Sequence, residues 1–282
     1  MNRLRTLLIG TLAAGTLAGC GSEAEQAAAR RVEIVRGADG VSITTGSFVM
    51  SVRDDGMMRV SELAFVQGNV FTVRHDLVKN SVAMSERRMT PDAYRDRFAA
   101  KGLQYDDTLS AAAGGVSDEA RADLAAAHDA VVASVTTPTP ADEEAEALTS
   151  QLQKAPKDTI LTPGQIDDPN ESPEGGTLVE HQASASLCWA KNKASVWAHY
   201  DATVCSNWWC KVKDFGRNKW IGGSTCFGRC GKGCDWGWLK QRYTQACANH
   251  DLCVDDLGYA DPRCLNEFAP TLVDAVSATN CG

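Results

Sequence analysis

The sequence predicts two unlike parts: an N-terminal α+β domain with antiparallel strands, and a C-terminal domain that is disulfide-rich and mainly α. Three observations predict this. Short β-rich runs, separated by turns rich in glycine, aspartate and asparagine, fill residues 32–82. Ten of the eleven cysteines and all seven tryptophans lie from Cys188 onward. Between the two parts, residues 136–180 are rich in proline and acid. Such a stretch buries little apolar surface and reads as a linker. The chain has 282 residues, enough for two modest domains.

The first residues set the compartment. Asn2-Arg3-Leu4-Arg5 is a basic start, and an apolar run follows from Leu7 to Leu17. This reads as a secretory signal over residues 1–20, too short for a membrane span. The run ends in Leu17-Ala18-Gly19-Cys20, which resembles the lipobox of bacterial lipoproteins. The resemblance implies that Cys20 is lipidated and becomes the N-terminus, with residues 21–31 as a tether. Gly21-Ser22, with no aspartate after Cys20, resembles the outer-membrane sorting class, so the chain is expected at the outer membrane or cell surface. Export also makes the ten remaining cysteines readable as up to five disulfides.

Within residues 32–135, strands are expected at Val32–Val35, Val41–Ile43, Phe48–Val52, Val60–Val66 and Val70–Val73. Gly37–Gly40, Asp54–Gly56 and Gln67–Asn69 separate them, giving an antiparallel meander. Thr90-Pro91-Asp92 opens a helix through about Lys101, with threonine as N-cap and proline at the first position. Ser117-Asp118-Glu119 opens another, through Ala133. No group of residues in this part forms a chemical constellation, and its role stays open between a spacer, an inhibitor and a module that binds a protein partner. In the linker, a short helix is compatible with residues 142–154.

From residue 181 the composition changes. Between Ser186 and Arg242 there are ten basic residues and three acidic ones, in a protein whose formal charge is −8. Tryptophans are interleaved with these bases. Two readings stand side by side: docking to a phospholipid membrane surface, because Trp and Tyr favour boundaries that are apolar on one side, or the core of a small disulfide domain. Nucleic-acid binding fits poorly with a tethered exported protein. Val196–Ala202 alternates as a strand, and a second is expected near Trp208–Val212.

The chemistry is concentrated in Cys247-Ala248-Asn249-His250-Asp251-Leu252-Cys253. Residues three apart share a helical face, so both cysteines can staple the helix to its neighbours with His250 between them. Asp251 is rotated by about 100° from His250. A histidine beside a carboxylate aimed elsewhere suits a general base next to a metal ligand. Apolar positions from Leu239 to Leu257 share one stripe, and Gly258 ends the helix. A second helix is expected from Asp261-Pro262 to about Ala278. Upstream, Cys226–Cys234 is a glycine-rich loop able to turn carbonyls toward a hard cation.

These residues resemble secreted phospholipases A2. Cys230-Gly231-Lys232-Gly233 is similar to their calcium loop, and Cys247–Cys253 to their active-site helix, in the same order and at close to the same spacing. The resemblance covers about Cys226 to Cys281. It implies two antiparallel helices and a calcium loop over residues 181–282, with disulfides Cys230–Cys247 and Cys253–Cys264. It implies calcium-dependent hydrolysis of phospholipid esters, with His250 as base. Asp251 and the carbonyls of Arg229, Gly231 and Gly233 would be metal ligands, and the Gly231 N–H would bind the oxyanion. One position departs: Leu265 stands where the family has the aspartate that orients its histidine. Glu267 is the substitute that helical geometry suggests, with Asp274 behind it. Two rival readings remain: a non-catalytic lipid- or protein-binding module on the same scaffold, and a structural zinc site drawn from Cys226, Cys230, Cys234, Cys247 and His250.

Overall fold

A computed structural model describes residues 31–104, 115–155, 166–167, 179–206, 209–222, 225–230, 241–258, 261–278 and 280–281. The expected signal peptide, Cys20 and almost all of the tether lie outside them. No helix among the described residues is long and apolar enough to cross a membrane.

Six strands form the expected antiparallel meander in sequence order: β1 (Glu33–Gly37), β2 (Gly40–Thr44), β3 (Phe48–Asp54), β4 (Met58–Phe65), β5 (Asn69–Asp76) and β6 (Ser81–Arg88). The composition pattern stops short of β6, because Ser85-Glu86-Arg87-Arg88 is polar. Its Glu86 is nevertheless buried, accepting hydrogen bonds from Asn69 Nδ2 at 2.6 Å and from the Gly115 N–H at 2.7 Å. Two short strands also pair with β6: β7 (Ile166–Asp167) in parallel and β8 (Val179–Gln182) antiparallel.

Alternation sorts the two faces of the sheet. Val41, Ile43, Phe48, Met50 and Val52 point to one side, where α2 (Asp118–Ser134) and α3 (Pro140–Leu152) cover them. On the other side, α1 (Pro91–Phe98) lays Tyr94 and Phe98 against Ala64 and Val70. Both expected N-caps are present: Thr90 accepts from the Ala93 N–H, and Ser117 from the Ala120 N–H.

The linker expectation fails over α3. This helix is capped by a Thr139–Asp142 capping box and buried from Ala141 to Leu152, apart from Glu143. Its acidic composition is misleading because most of its acids have a partner. Asp142 meets Arg36 Nε at 2.8 Å, Glu144 meets Arg59 at 3.0 Å and Ser61 Oγ at 2.5 Å, and Glu146 meets His128 Nε2 at 3.2 Å. Buried charges persist when they are paired and hydrogen-bonded.

His128 carries a prediction. Burial lowers its pKa, but hydrogen bonds to Glu146 and Asp129 outweigh burial and hold it above the ordinary value. Its stabilising contribution is therefore complete below about pH 6.5 and is lost as pH rises through the folded-state value. His128→Gln should cost about 1–2 kcal/mol at pH 5.5 and clearly less at pH 9, read by urea unfolding at both. An equal cost at both pH values would contradict the pairing.

Beyond β8, a long hairpin of β9 (Ala194–Ser206) and β10 (Trp209–Ile221) packs one face on α4 (Gln245–Leu257). The second expected strand is thus much longer than its composition suggests. Val196, Ala198, Tyr200 and Ala202 form a core there with Leu252 and Ile221. α5 (Leu265–Ser277) follows a 3-10 turn at Pro262–Cys264. Its Phe268, Leu272, Val273 and Val276 join the core of the N-terminal sheet and α3. By their contacts, residues 31–282 group as one compact unit.

Candidate active site and its buried lysine

The site grows from the first turn of α4. Thr244 is its N-cap, accepting from the Cys247 N–H at 3.2 Å. The expected start near Leu239 does not hold for Tyr243, which instead bridges to Arg229. Disulfides Cys230–Cys247 and Cys253–Cys264 clamp the helix on both sides of His250. A third joins Cys188 to Cys281, and Cys210 and Cys226 are disulfide-bonded too. The sulfurs of Cys226, Cys230 and Cys247 are thereby spent as zinc ligands. The same holds for the close group of Cys230, Cys247 and Asp274.

His250 is 1% exposed and lies against the Phe268 ring, with centroids 5.4 Å apart. Its Nε2 is buried without a hydrogen-bond partner among the described residues. Burial, and secondarily the charge of Lys154, push its pKa down to about 3. The imidazole is neutral at physiological pH, as a base must be, but it is a weak base in this environment.

Asp251 sits one step round the helix. Its Oδ2 accepts from the Gly228 N–H at 2.8 Å, and its Oδ1 meets Lys154 Nζ at 3.3 Å. Burial raises its pKa, while Lys154 and the Gly228 N–H act in the opposite direction. Of the other expected metal ligands, Arg229 is buried, and Gly231 and Gly233 lie outside the described residues. Among the described residues, Asp251 offers no free carboxylate oxygen to a divalent cation in this arrangement. One carboxylate oxygen faces an ammonium and the other a backbone donor, where calcium requires oxygen ligands at about 2.3–2.6 Å.

Glu267 is not brought to His250 by a hydrogen bond. Burial raises its pKa, and it accepts from the Asp201 N–H and the Asn249 side chain. Asn249 in turn accepts from the His199 N–H at 3.1 Å, tying α4 to the hairpin. Asp274, the other candidate, is engaged by Ser184 and Thr244. The expected substitution of either carboxylate for the one absent at Leu265 is therefore not met. Helical spacing placed both on the correct side of α5, but backbone donors and hydroxyls claim them first.

Lys154 is the site residue that sequence reasoning missed. It lies 97 positions before Asp251, in a stretch whose composition resembles a linker. Only its place just beyond a capped, periodic helix could have drawn notice.

Among the described residues, three tryptophans face solvent: Trp189 at 68%, Trp197 at 54% and Trp220 at 57%. Trp197 lies across Gly216, where an added Cβ would meet its ring at 2.5 Å, so this close approach needs glycine. Lys193 sits over the Trp220 ring at 5.7 Å. For these three, the core reading does not hold.

A family described as a domain of unknown function (DUF8213) matches residues 177–282. No curated protein and no solved structure matches the chain.

Proposed function

We propose that residues 181–282 act as a phospholipase A2-like ester hydrolase on phospholipid surfaces, in an exported protein anchored through Cys20 at the outer membrane or cell surface. The observation that carries this reading is the pair of staples, Cys230–Cys247 and Cys253–Cys264, closing around His250 and Asp251. They are the pairs the resemblance implies. His250 is the proton acceptor for water, and its neutral state supports that role. Calcium is the cofactor this reading requires, and the Lys154–Asp251 pair stands against its binding as the chain is arranged here. The exposed tryptophans and the basic surplus of residues 186–242 supply the lipid-facing surface. The N-terminal sheet remains the candidate for contact with a protein partner.

A second reading, a non-catalytic lipid-binding module, is favoured by the unpartnered Nε2 of His250. Fatty-acid release and co-sedimentation with phosphatidylcholine/phosphatidylglycerol vesicles separate the two. The full chain and its Lys154→Met variant should be compared, each with calcium or chelator and each beside His250→Gln. The hydrolase reading expects calcium-dependent release in at least one background, reduced by about 10²-fold or more in His250→Gln. Vesicle binding without release in either background would establish the binding module instead.

A further inference from the structure

Lysine is rarely buried without a partner. Lys154 is 9% exposed, and its ammonium reaches Asp251 rather than solvent. The backbone that presents it is fixed on both sides. Arg121 Nη1 donates to the Gln153 carbonyl at 2.8 Å and to the Ala155 carbonyl at 2.5 Å. Gln153 is the C-cap of α3 and Ala155 lies just beyond it, at a helix end where a cation is favoured by the exposed carbonyls. One turn earlier, Gln151 Nε2 donates to Thr271 of α5, and Ala155 is fully buried. The rest of α3 is held by Arg36, Arg59 and His128 through its acids. Lys154 is therefore delivered to the site by a rigid helix, and its charge is felt by both His250 and Asp251.

We infer that Lys154 is an internal counter-ion that occupies the cation position at Asp251 and keeps the site latent. The inference rests on the hydrolase reading for its consequence, but the competition itself is between two cations for one carboxylate. A divalent ion bound to Asp251 Oδ1 would sit beside the ammonium with little water to screen the repulsion. The two occupants therefore exclude each other. The N-terminal part, through α3, regulates the C-terminal site: the cation enters only when the Lys154 side chain withdraws.

Calcium binding by the full chain tests this, read by calorimetry and by the calcium-induced shift in unfolding temperature. Lys154→Met should bind calcium at least tenfold more tightly than the unsubstituted chain, and the gain should vanish in the Lys154→Met/Asp251→Asn double variant. Lys154→Arg, which keeps the charge, should show no gain. Equal calcium affinity in the Met variant and its parent would overturn the inference. Should Lys154→Met not fold, the parent alone decides: saturable calcium binding that Asp251→Asn abolishes would also overturn it, and no saturable binding would support it. A calcium gain without fatty-acid release would keep the counter-ion and remove the hydrolase reading. Release that His250→Gln abolishes, without any calcium gain, would do the reverse.

Discussion

Acid should destabilise this protein through His250, by about 5 kcal/mol between pH 6.5 and pH 3. The unfolded chain binds a proton on this imidazole below about pH 6.5. The folded chain refuses it until about pH 3, because the ring is buried against Phe268 with a lysine ammonium nearby. The folded pKa is depressed, so the unfolded state holds more protons across this window and stability falls as pH falls. The expected slope is about 1.4 kcal/mol per pH unit. Asp251, Glu267 and Asp274 act in the opposite sense, from the ordinary carboxylate range upward, since burial raises their pKa values. The contribution of His250 is therefore read as a difference. Urea unfolding of the parent and of His250→Asn at pH 7, 5.5 and 4 should show the parent losing stability faster, with m-values alike. Parallel curves would show that the imidazole is not held neutral by its surroundings. In Lys154→Met the loss should end at a higher pH and be smaller in total, because one of the two causes of the depressed pKa is gone.

Asp274→Ala should cost about 3–5 kcal/mol, the second large effect. This carboxylate is fully buried and accepts from the Ser184 N–H at 2.8 Å, the Thr244 hydroxyl at 2.6 Å and the Ser184 hydroxyl. Both hydroxyls also accept from the start of α4: Thr244 from the Cys247 N–H at 3.2 Å, and Ser184 from the Ala246 N–H at 3.3 Å. A hydroxyl can donate and accept at once. One carboxylate thus orients two hydroxyls, and these satisfy two of the N–H groups that a helix start leaves open. Its negative charge also lies at the favourable end of the helix dipole. Alanine would leave three donors without this acceptor, one on buried Thr244 and two on half-buried Ser184. Asp274→Asn should cost less, since the amide oxygen still accepts, although its N–H₂ forces one hydroxyl to turn. Urea midpoints compare the two variants, and a cost near zero for Asp274→Ala would refute this role.

The same contacts show what the sequence disclosed and what it hid. Turn residues and alternating apolar positions marked the first five strands, and Thr90 and Ser117 marked their helices, because those signals are local. The staples on α4 followed the resemblance, and a spacing of three residues between cysteine and histidine keeps both on one face. The fate of the acids was hidden. In α3, acids that suggested a solvated linker are paired with Arg36, Arg59 and His128 from other elements. Glu267 and Asp274 lie on the expected helix, but their partners come from β9, Asn249, Ser184 and Thr244. Lys154 reaches Asp251 across 97 positions. Charge composition states how many ions a segment carries. It does not state which of them find a counter-ion when the chain closes, and here that difference decides both the architecture and the state of the site.

The most direct test of the central claim is mass-spectrometric analysis of vesicle phospholipid incubated with calcium and the full chain carrying Lys154→Met. Equal amounts of lysophospholipid and free fatty acid are expected, formed at a rate that collapses when His250→Gln is added. Intact phospholipid, in a folded chain that binds both calcium and the vesicles, would contradict it.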